Sequence, residues 1–94
     1  GSVAGVGDFE AQFKQVFDNL GDVLKGLDLT YNDVVKFTTY MVHSQDIPSF
    51  MKLRADLFPK IFKGPLYPPN TLLMVDRLVK EPFLIEVEAI VRGR

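Results

Sequence analysis

Two carboxylates stand two residues apart near the end of the chain, in a run with the pattern of a β-strand. Its odd-numbered residues, over 83–91, are all apolar, so with the two-residue period of a strand they form one face. Glu86 and Glu88 share the other face and are framed there by Leu84 and Ile90. An ordinary solvated face would be polar throughout. The apolar frame predicts that this carboxylate pair lies on a surface covered by another subunit or a ligand.

Few other side chains could carry catalysis or hold a metal. His43 is the single histidine, and its place just past a predicted strand is typical of a surface residue. The chain has no cysteine, which excludes a thiolate nucleophile, a disulfide and a Cys-based zinc site. No metal site is therefore expected, and the lack of cysteine favours a cytoplasmic location.

The composition indicates one globular domain, residues 1–94, with 47% hydrophobic and 24% charged residues. The net charge of −1 leaves no basic footprint, so no nucleic-acid partner is expected. No apolar run approaches the roughly 18–20 residues of a membrane span. No signal-peptide pattern is present. These properties exclude membrane proteins and charge-driven nucleic-acid binders as the leading classes.

Two amphipathic helices are predicted to position these residues. The first begins at an N-cap, Asp8, and ends near Gly26, which suits a left-handed cap. The second begins near Asp46 and should bend or end at Pro59, because proline lacks an N–H group and clashes with the preceding turn. Apolar residues recur at helical spacing in both: Phe9, Phe13, Val16, Phe17, Leu20, Val23 and Leu24, then Phe50, Leu53, Leu57 and Ile61.

Three strands are predicted, over 34–42, 71–75 and 83–91. The order helix, strand, helix, strand, strand predicts an α+β fold with both helices on one face of a small sheet. In the first strand the period assigns residues to one face or the other: Val35, Phe37, Thr39 and Met41, against Val34, Lys36, Thr38, Tyr40 and Val42. Neither set is fully polar. The sheet face away from the helices is therefore predicted to mediate self-association with closed symmetry.

Four segments in register resemble the Rid family, the YjgF-type reactive-intermediate deaminases. They are residues 8–12 (DFEAQ), 32–38 (NDVVKFT), 67–71 (YPPNT) and 84–90 (LIEVEAI), and together they span almost the whole chain. The resemblance implies a chorismate-mutase-like mixed sheet with two helices on one face. It also implies a barrel-forming homotrimer with ligand clefts between subunits. Enzymes of that family hydrolyse 2-imino and enamino acids to keto acids and ammonia, without a metal or other cofactor.

The resemblance also assigns candidate site residues. Family members grip the substrate carboxylate with an arginine in a Pro-x-Arg-Ser/Thr segment, where this chain has Asn70 followed by Thr71. The first Glu of the family's ending, which helps to position or activate water, is Glu86. A family asparagine near the cleft is replaced by Arg54, which could supply the missing charge or be an exposed arginine near Asp56.

Two further expectations follow. The resemblance implies that the chain is N-terminally shortened, because full-size members begin with two extra strands and this chain starts at their end. Glu88 is expected to form a salt bridge with Lys36 on an adjacent strand.

Three functions remain open from the sequence. The first is imine or enamine hydrolysis, which the resemblance favours and Asn70 weakens, since a neutral amide does not replace a bidentate arginine. The second is non-catalytic binding of a small 2-imino or 2-keto carboxylate between subunits of a homotrimer. The third is endoribonuclease or translation-inhibitor activity, which the single histidine and the lack of a basic patch disfavour.

Overall fold

The computed structural model describes residues 5, 7–64 and 66–92. The described chain folds into two α-helices, α1 (Phe9–Gly26) and α2 (Ile47–Ile61), and three β-strands. The strands are β1 (Val34–Met41), β2 (Asn70–Met74) and β3 (Ile85–Val91), in the sheet order β2-β1-β3. β1 pairs with β2 in parallel and with β3 in antiparallel orientation. The predicted element order and the mixed sheet are confirmed.

α1 begins at the predicted cap and ends differently from the prediction. The Asp8 carboxylate accepts a hydrogen bond from the Ala11 backbone N–H at 3.1 Å, which satisfies a free donor of the first turn. The left-handed cap at Gly26 is wrong, because Gly26 is still helical and the positive φ, 58°, belongs to Asp28. The Leu29 N–H then donates to the Leu24 carbonyl at 2.8 Å. The chain therefore turns back at Asp28, two residues after Gly26.

α2 begins at Ile47 with Pro48 in its first turn, as predicted. It continues through Pro59 to Ile61. The helix therefore ends about half a turn after the proline, where the sequence predicted a bend or an end. The Phe62 N–H still donates to the Phe58 carbonyl at 2.9 Å, which closes the last turn around the proline. Within the described residues, no helix is long and apolar enough to cross a membrane.

Both helices pack on one face of the sheet through a cluster of phenylalanines. Phe37 of β1 lies at its centre, with its ring centroid 5.9 Å from that of Phe17 and 5.7 Å from that of Phe58. Phe13 of α1 meets Phe50 of α2 at 5.9 Å, edge to face. All five rings are 3% exposed or less. This aromatic core holds the two helices on the sheet.

A β-bulge at the start of β1 changes the predicted faces. Val34 is paired with Val91 and Lys36 with Ile90, which leaves Val35 as the extra residue. Val34 is therefore buried in the core and Val35 is 41% exposed, the reverse of the prediction from strict alternation. From Lys36 onward the alternation holds, with Phe37, Thr39 and Met41 on the helix side. The final strand starts at Ile85 rather than at Phe83.

A buried glutamine joins the start of β3 to α1. The Gln12 side chain is 4% exposed and donates to the Pro82 carbonyl at 3.1 Å. Its oxygen accepts from the Leu84 N–H at 2.8 Å. Because both ends of one amide are used, Gln12 fixes the approach of the chain to the strand that carries Glu86 and Glu88.

Candidate functional site

The sheet has one face away from the helices, which we call the open face. Strand register defines it: on β3 Glu86 lies opposite Tyr40 and Glu88 opposite Thr38, and on β2 Thr71 lies opposite Thr38. The complete set is Lys36, Thr38, Tyr40, Thr71, Leu73, Glu86, Glu88 and Ile90. None of these side chains is buried, and the two on β2 and the three on β3 are exposed. The predicted mixed surface therefore exists and is uncovered in the single chain.

Glu86 and Thr71, two predicted site residues, both lie on the open face. They belong to the two outer strands, with β1 between them, so neighbouring strands at about 4.8 Å spacing separate their backbones by about 10 Å. Both side chains are exposed and neither makes a hydrogen bond or an ion pair within the described part of the chain. Glu86 is paired with Tyr40 and Thr71 with Thr38, so the two are also offset by two residues along the strands and lie farther apart than the strand spacing alone.

Tyr40 is the residue that the sequence analysis did not select for the site. It is half-buried on β1, the central strand, directly opposite Glu86 on one side and Leu73 on the other. Its two-residue spacing from Thr38 already indicated the same face, but the sequence did not show that β1 is the central strand. Its phenol can donate to or accept from a ligand placed beside Glu86.

Lys36 and Glu88 do not form the predicted salt bridge. Lys36 lies opposite Ile90, one pair further along than Thr38 and Glu88, so the two charges are diagonal neighbours. The ion pairs of the described residues include Lys14 with Glu10 and Arg77 with Glu81, both on exposed side chains. The open face carries one cationic and two anionic groups, and none of the three forms an ion pair with another described residue.

Asn70 lies on the other face of the sheet. It is the first residue of β2, it is paired with Phe37, and its side-chain oxygen accepts a hydrogen bond from the Thr39 hydroxyl at 2.9 Å. Thr39 is 1% exposed on the helix side, so the Asn70 amide is directed to the edge of the aromatic core and is itself half-buried. One chain does not bring Asn70 and Glu86 together.

Arg54 is separated from Glu86 by the sheet. It lies on α2, where its guanidinium group is 5.4 Å from the centroid of the Phe50 ring and donates to the Met51 sulfur at 3.2 Å. No ion pair with Asp56 forms within the described residues. Arg54 therefore packs on its own helix, and in a single chain it does not supply a positive charge to the open face.

A concave surface lies on the helix side. A groove of about 620 Å³ runs between α1 and α2, and its rim carries acidic and basic side chains from both helices: Glu10, Lys14 and Asp18, then Lys52, Asp56 and Lys60. Near it, burial raises the pKa of the Tyr31 phenol, and the charges of Asp18 and Asp22 raise it further. None of the predicted site residues lines this groove.

No group of three or more His, Asp or Glu side chains in the described residues could hold a metal ion. The polar groups of the open face are two carboxylates, a phenol, two hydroxyl groups and a lysine.

Known proteins share both the sequence pattern and the fold. A family model described as endoribonuclease L-PSP matches residues 1–92. A RutC family protein of Pyrococcus horikoshii is 33% identical over 84 residues, which are 89% of this chain and 62% of that protein. A RutC family protein of Pyrococcus abyssi is 36% identical over a similar stretch, 61% of its length.

Among solved structures, the YjgF gene product of Escherichia coli superposes with a TM-score of 0.81 at 28% identity, covering 93% of this chain and 66% of that one. A Rid family protein of Yersinia pestis superposes with a TM-score of 0.79 at 33% identity, covering 95% and 65%. The chain thus spans about three-fifths of the length of the curated relatives it matches. On sequence and on fold, two helices over a mixed sheet, the chain belongs to the RutC/YjgF/Rid family described by the endoribonuclease L-PSP model.

Proposed function

We propose that this chain forms a homotrimer through its open face and binds a small 2-keto or 2-imino metabolite between subunits, with little imine hydrolysis of its own. The single observation that carries this proposal is the placement of the two candidate groups. Asn70 and Glu86 lie on opposite faces of one sheet, and Asn70 lies on an edge strand.

The placement requires two chains for one site. A small ligand cannot touch both faces of the same sheet, because the side chains on the two faces extend in opposite directions. If Asn70 and Glu86 act on one ligand, they come from different subunits. An open face with exposed Leu73 and Ile90 supports such packing, since apolar side chains framed by polar ones are typical of an interface.

The chemistry at such a cleft would be hydrolysis of a C=N bond. Glu86 would take a proton from a water molecule as the water oxygen bonds to the imine carbon, and the C=N bond would become a C–N single bond with a proton added to the nitrogen. Glu86 would then return its proton to the nitrogen of this carbinolamine, so that the C–N bond breaks and ammonia leaves while the hydroxyl group loses its proton to form the ketone. This step is fast only if the substrate is held in place. Asn70 offers two neutral N–H donors and no charge, so the carboxylate of an imino acid would be held weakly.

Binding without turnover is the second candidate function. Asn70 favours it, because an amide at this position can donate hydrogen bonds to a ligand but carries no charge. In a single chain Arg54 packs on Phe50 and Met51 of its own helix and does not replace the charge absent at position 70. Ribonuclease activity has no comparable support, because the single histidine, His43, is exposed and the net charge is −1.

The assembly is tested by light scattering of the purified protein. We expect the mass of a trimer, and we expect Leu73→Glu to give monomers by placing a charge in the middle of the packed face. Leu27→Glu is the matched control, because Leu27 is 60% exposed at the end of α1 and should leave the trimer intact. A wild-type protein that is monomeric at the concentrations of the assay overturns the proposal.

The activity is tested with 2-iminobutanoate generated in a coupled assay. We expect the wild-type rate to stay near that of buffer and Asn70→Arg to raise it about tenfold or more, because a bidentate ion pair then holds the carboxylate. Asn19→Arg, the same exchange on the exposed side of α1, should have no effect. The gain should disappear when Glu86→Gln is added. A wild-type rate far above buffer would contradict the proposed weak turnover.

A further inference from the structure

The amide of Asn70 is oriented by a buried hydroxyl group. Thr39 is 1% exposed, and its Oγ1 donates to Oδ1 of Asn70 at 2.9 Å. With the oxygen engaged, Nδ2 carries two N–H donors that have no partner within the described residues. Asn70 is half-buried, so these donors remain accessible at the edge of the sheet. Position 70 is thus a fixed pair of hydrogen-bond donors.

The two strand segments beside that amide are uncharged. Residues 64–75, which include Asn70, contain no Asp, Glu, Lys, Arg or His, and neither do residues 37–42 of the neighbouring strand. On the helix side of β1 and β2 the neighbours of Asn70 are Phe37 and Leu72, which are apolar. The nearest cation in the strands, Lys36, is on the open face.

Neutral donors in an apolar setting discriminate between an uncharged and a charged oxygen. A carboxylate that leaves water for this position loses hydration, and neither β2 nor the helix side of β1 supplies a cation that compensates for that loss. A ketone, amide or ester oxygen loses much less and still accepts from the amide N–H groups. The same two donors therefore favour the uncharged oxygen.

We propose that Asn70, oriented by Thr39, is the specificity-determining residue of the site and selects a ligand whose group at this position is a neutral carbonyl rather than a carboxylate. This inference rests on the proposed function, because it takes position 70 as part of the ligand cleft. The ligand class is accordingly the amide or another uncharged derivative of a small 2-keto or 2-imino acid.

The experiment compares pyruvamide with pyruvate, which differ mainly in an NH2 group in place of a charged oxygen. Dissociation constants are measured by isothermal titration calorimetry on the assembled wild-type protein. We expect pyruvamide to bind about tenfold or more tightly than pyruvate, in line with the cost of an unpaired charge. Asn70→Arg should reverse the order, and Thr39→Val should reduce the preference by releasing the amide. Asn19→Arg is the matched control and should keep the wild-type ratio.

The outcomes separate the inference from the function on which it rests. If wild-type protein binds pyruvate as tightly as pyruvamide, or more tightly, the inference is wrong and the cleft stands. If neither compound binds to the wild type or to Asn70→Arg at millimolar concentration, the cleft itself is wrong. The two probes are compared on the wild-type protein. The inference can therefore be rejected even if a variant fails to fold.

Discussion

The two faces of the sheet use the same three strands and differ in what completes them. The helix-side face is closed by α1 and α2, and its central residue, Phe37, is 1% exposed. The open face carries Leu73 at 44% and Ile90 at 55% exposure beside three charged groups. One face is finished within the chain by aromatic packing, whereas the other has the composition of an interface. The helix-side face therefore accounts for the stability of the chain, whereas the open face is available for contact with another molecule.

The largest expected effect comes from removing the centre of the closed face. Phe37→Ala should lower the free energy of unfolding by about 3–5 kcal/mol, because it deletes a ring that touches Phe17, Phe58 and Phe62. Leu73→Ala on the open face should change the stability of the chain itself by no more than about 0.5 kcal/mol. Urea unfolding at a protein concentration low enough to keep the chain monomeric measures both. If both variants lost the same free energy of unfolding, the two faces would contribute equally to stability and the distinction between them would be wrong.

The next effect concerns Gln12, which connects the helix layer to β3. Gln12→Leu should cost about 1–3 kcal/mol, because the Leu84 N–H and the Pro82 carbonyl lose their partner in a largely buried place. Gln15→Leu, on the exposed side of the same helix, is the control, since Gln15 bonds only to Asn19. Urea unfolding distinguishes them. If Gln15→Leu lowered the free energy of unfolding as much as Gln12→Leu, the effect would come from helix propensity and not from the hydrogen bonds of Gln12.

A smaller effect on stability is expected from a substitution at Gly21, where α1 contacts Tyr31. A β-carbon at Gly21 would lie 2.5 Å from the Tyr31 hydroxyl, which donates to the Phe17 carbonyl at 2.6 Å. Gly21→Ala should therefore destabilise by about 1 kcal/mol although alanine is the better helix former. In a Tyr31→Phe background the same exchange should cost less, which a double-mutant cycle in urea measures. If the effects of Gly21→Ala and Tyr31→Phe on the free energy of unfolding were additive, the proposed clash between position 21 and the Tyr31 hydroxyl would be wrong.

The smallest effect is a dependence on pH at the edge of the closed face. Burial, and then the charges of Asp18 and Asp22, raise the pKa of Tyr31 above its ordinary value of 10.0. The folded state therefore keeps the phenol protonated when the unfolded chain loses the proton. This contribution to stability is complete below about pH 10 and is lost as the pH rises through the folded pKa. The stability difference between wild type and Tyr31→Phe, followed from about pH 9 to 11, should shrink with rising pH.

Much of the closed face could be predicted from sequence because its signals are local. Helical spacing identified Phe13, Phe17 and Phe50, and the N-cap at Asp8 is correct. It missed Phe58, which is 3% exposed, and it included Val23, which is 59% exposed. The errors lie where the backbone departs from a regular period. The bulge that buries Val34 and exposes Val35, and the reversal at Asp28 instead of Gly26, depend on how the elements pack.

The candidate site was less accessible to prediction. Glu86 and Thr71 were assigned to a site and do share the open face, but their separation across β1 follows from strand order. Tyr40 was overlooked because only the sheet reveals that it faces Glu86. Asn70 and Arg54 were grouped with Glu86 by family resemblance, and in one chain the sheet separates both from it.

By itself, the sequence determined the family, the order of helices and strands, and the face of β3 that carries Glu86 and Glu88, because these depend on local period and residue type. Only the tertiary structure decided that the amide of Asn70 bonds to Thr39 on the opposite face from Glu86. The physical reason is that strand order and register are set by contacts between segments distant in sequence. Those contacts place the acid and the amide on two faces, so a single site containing both requires a second subunit.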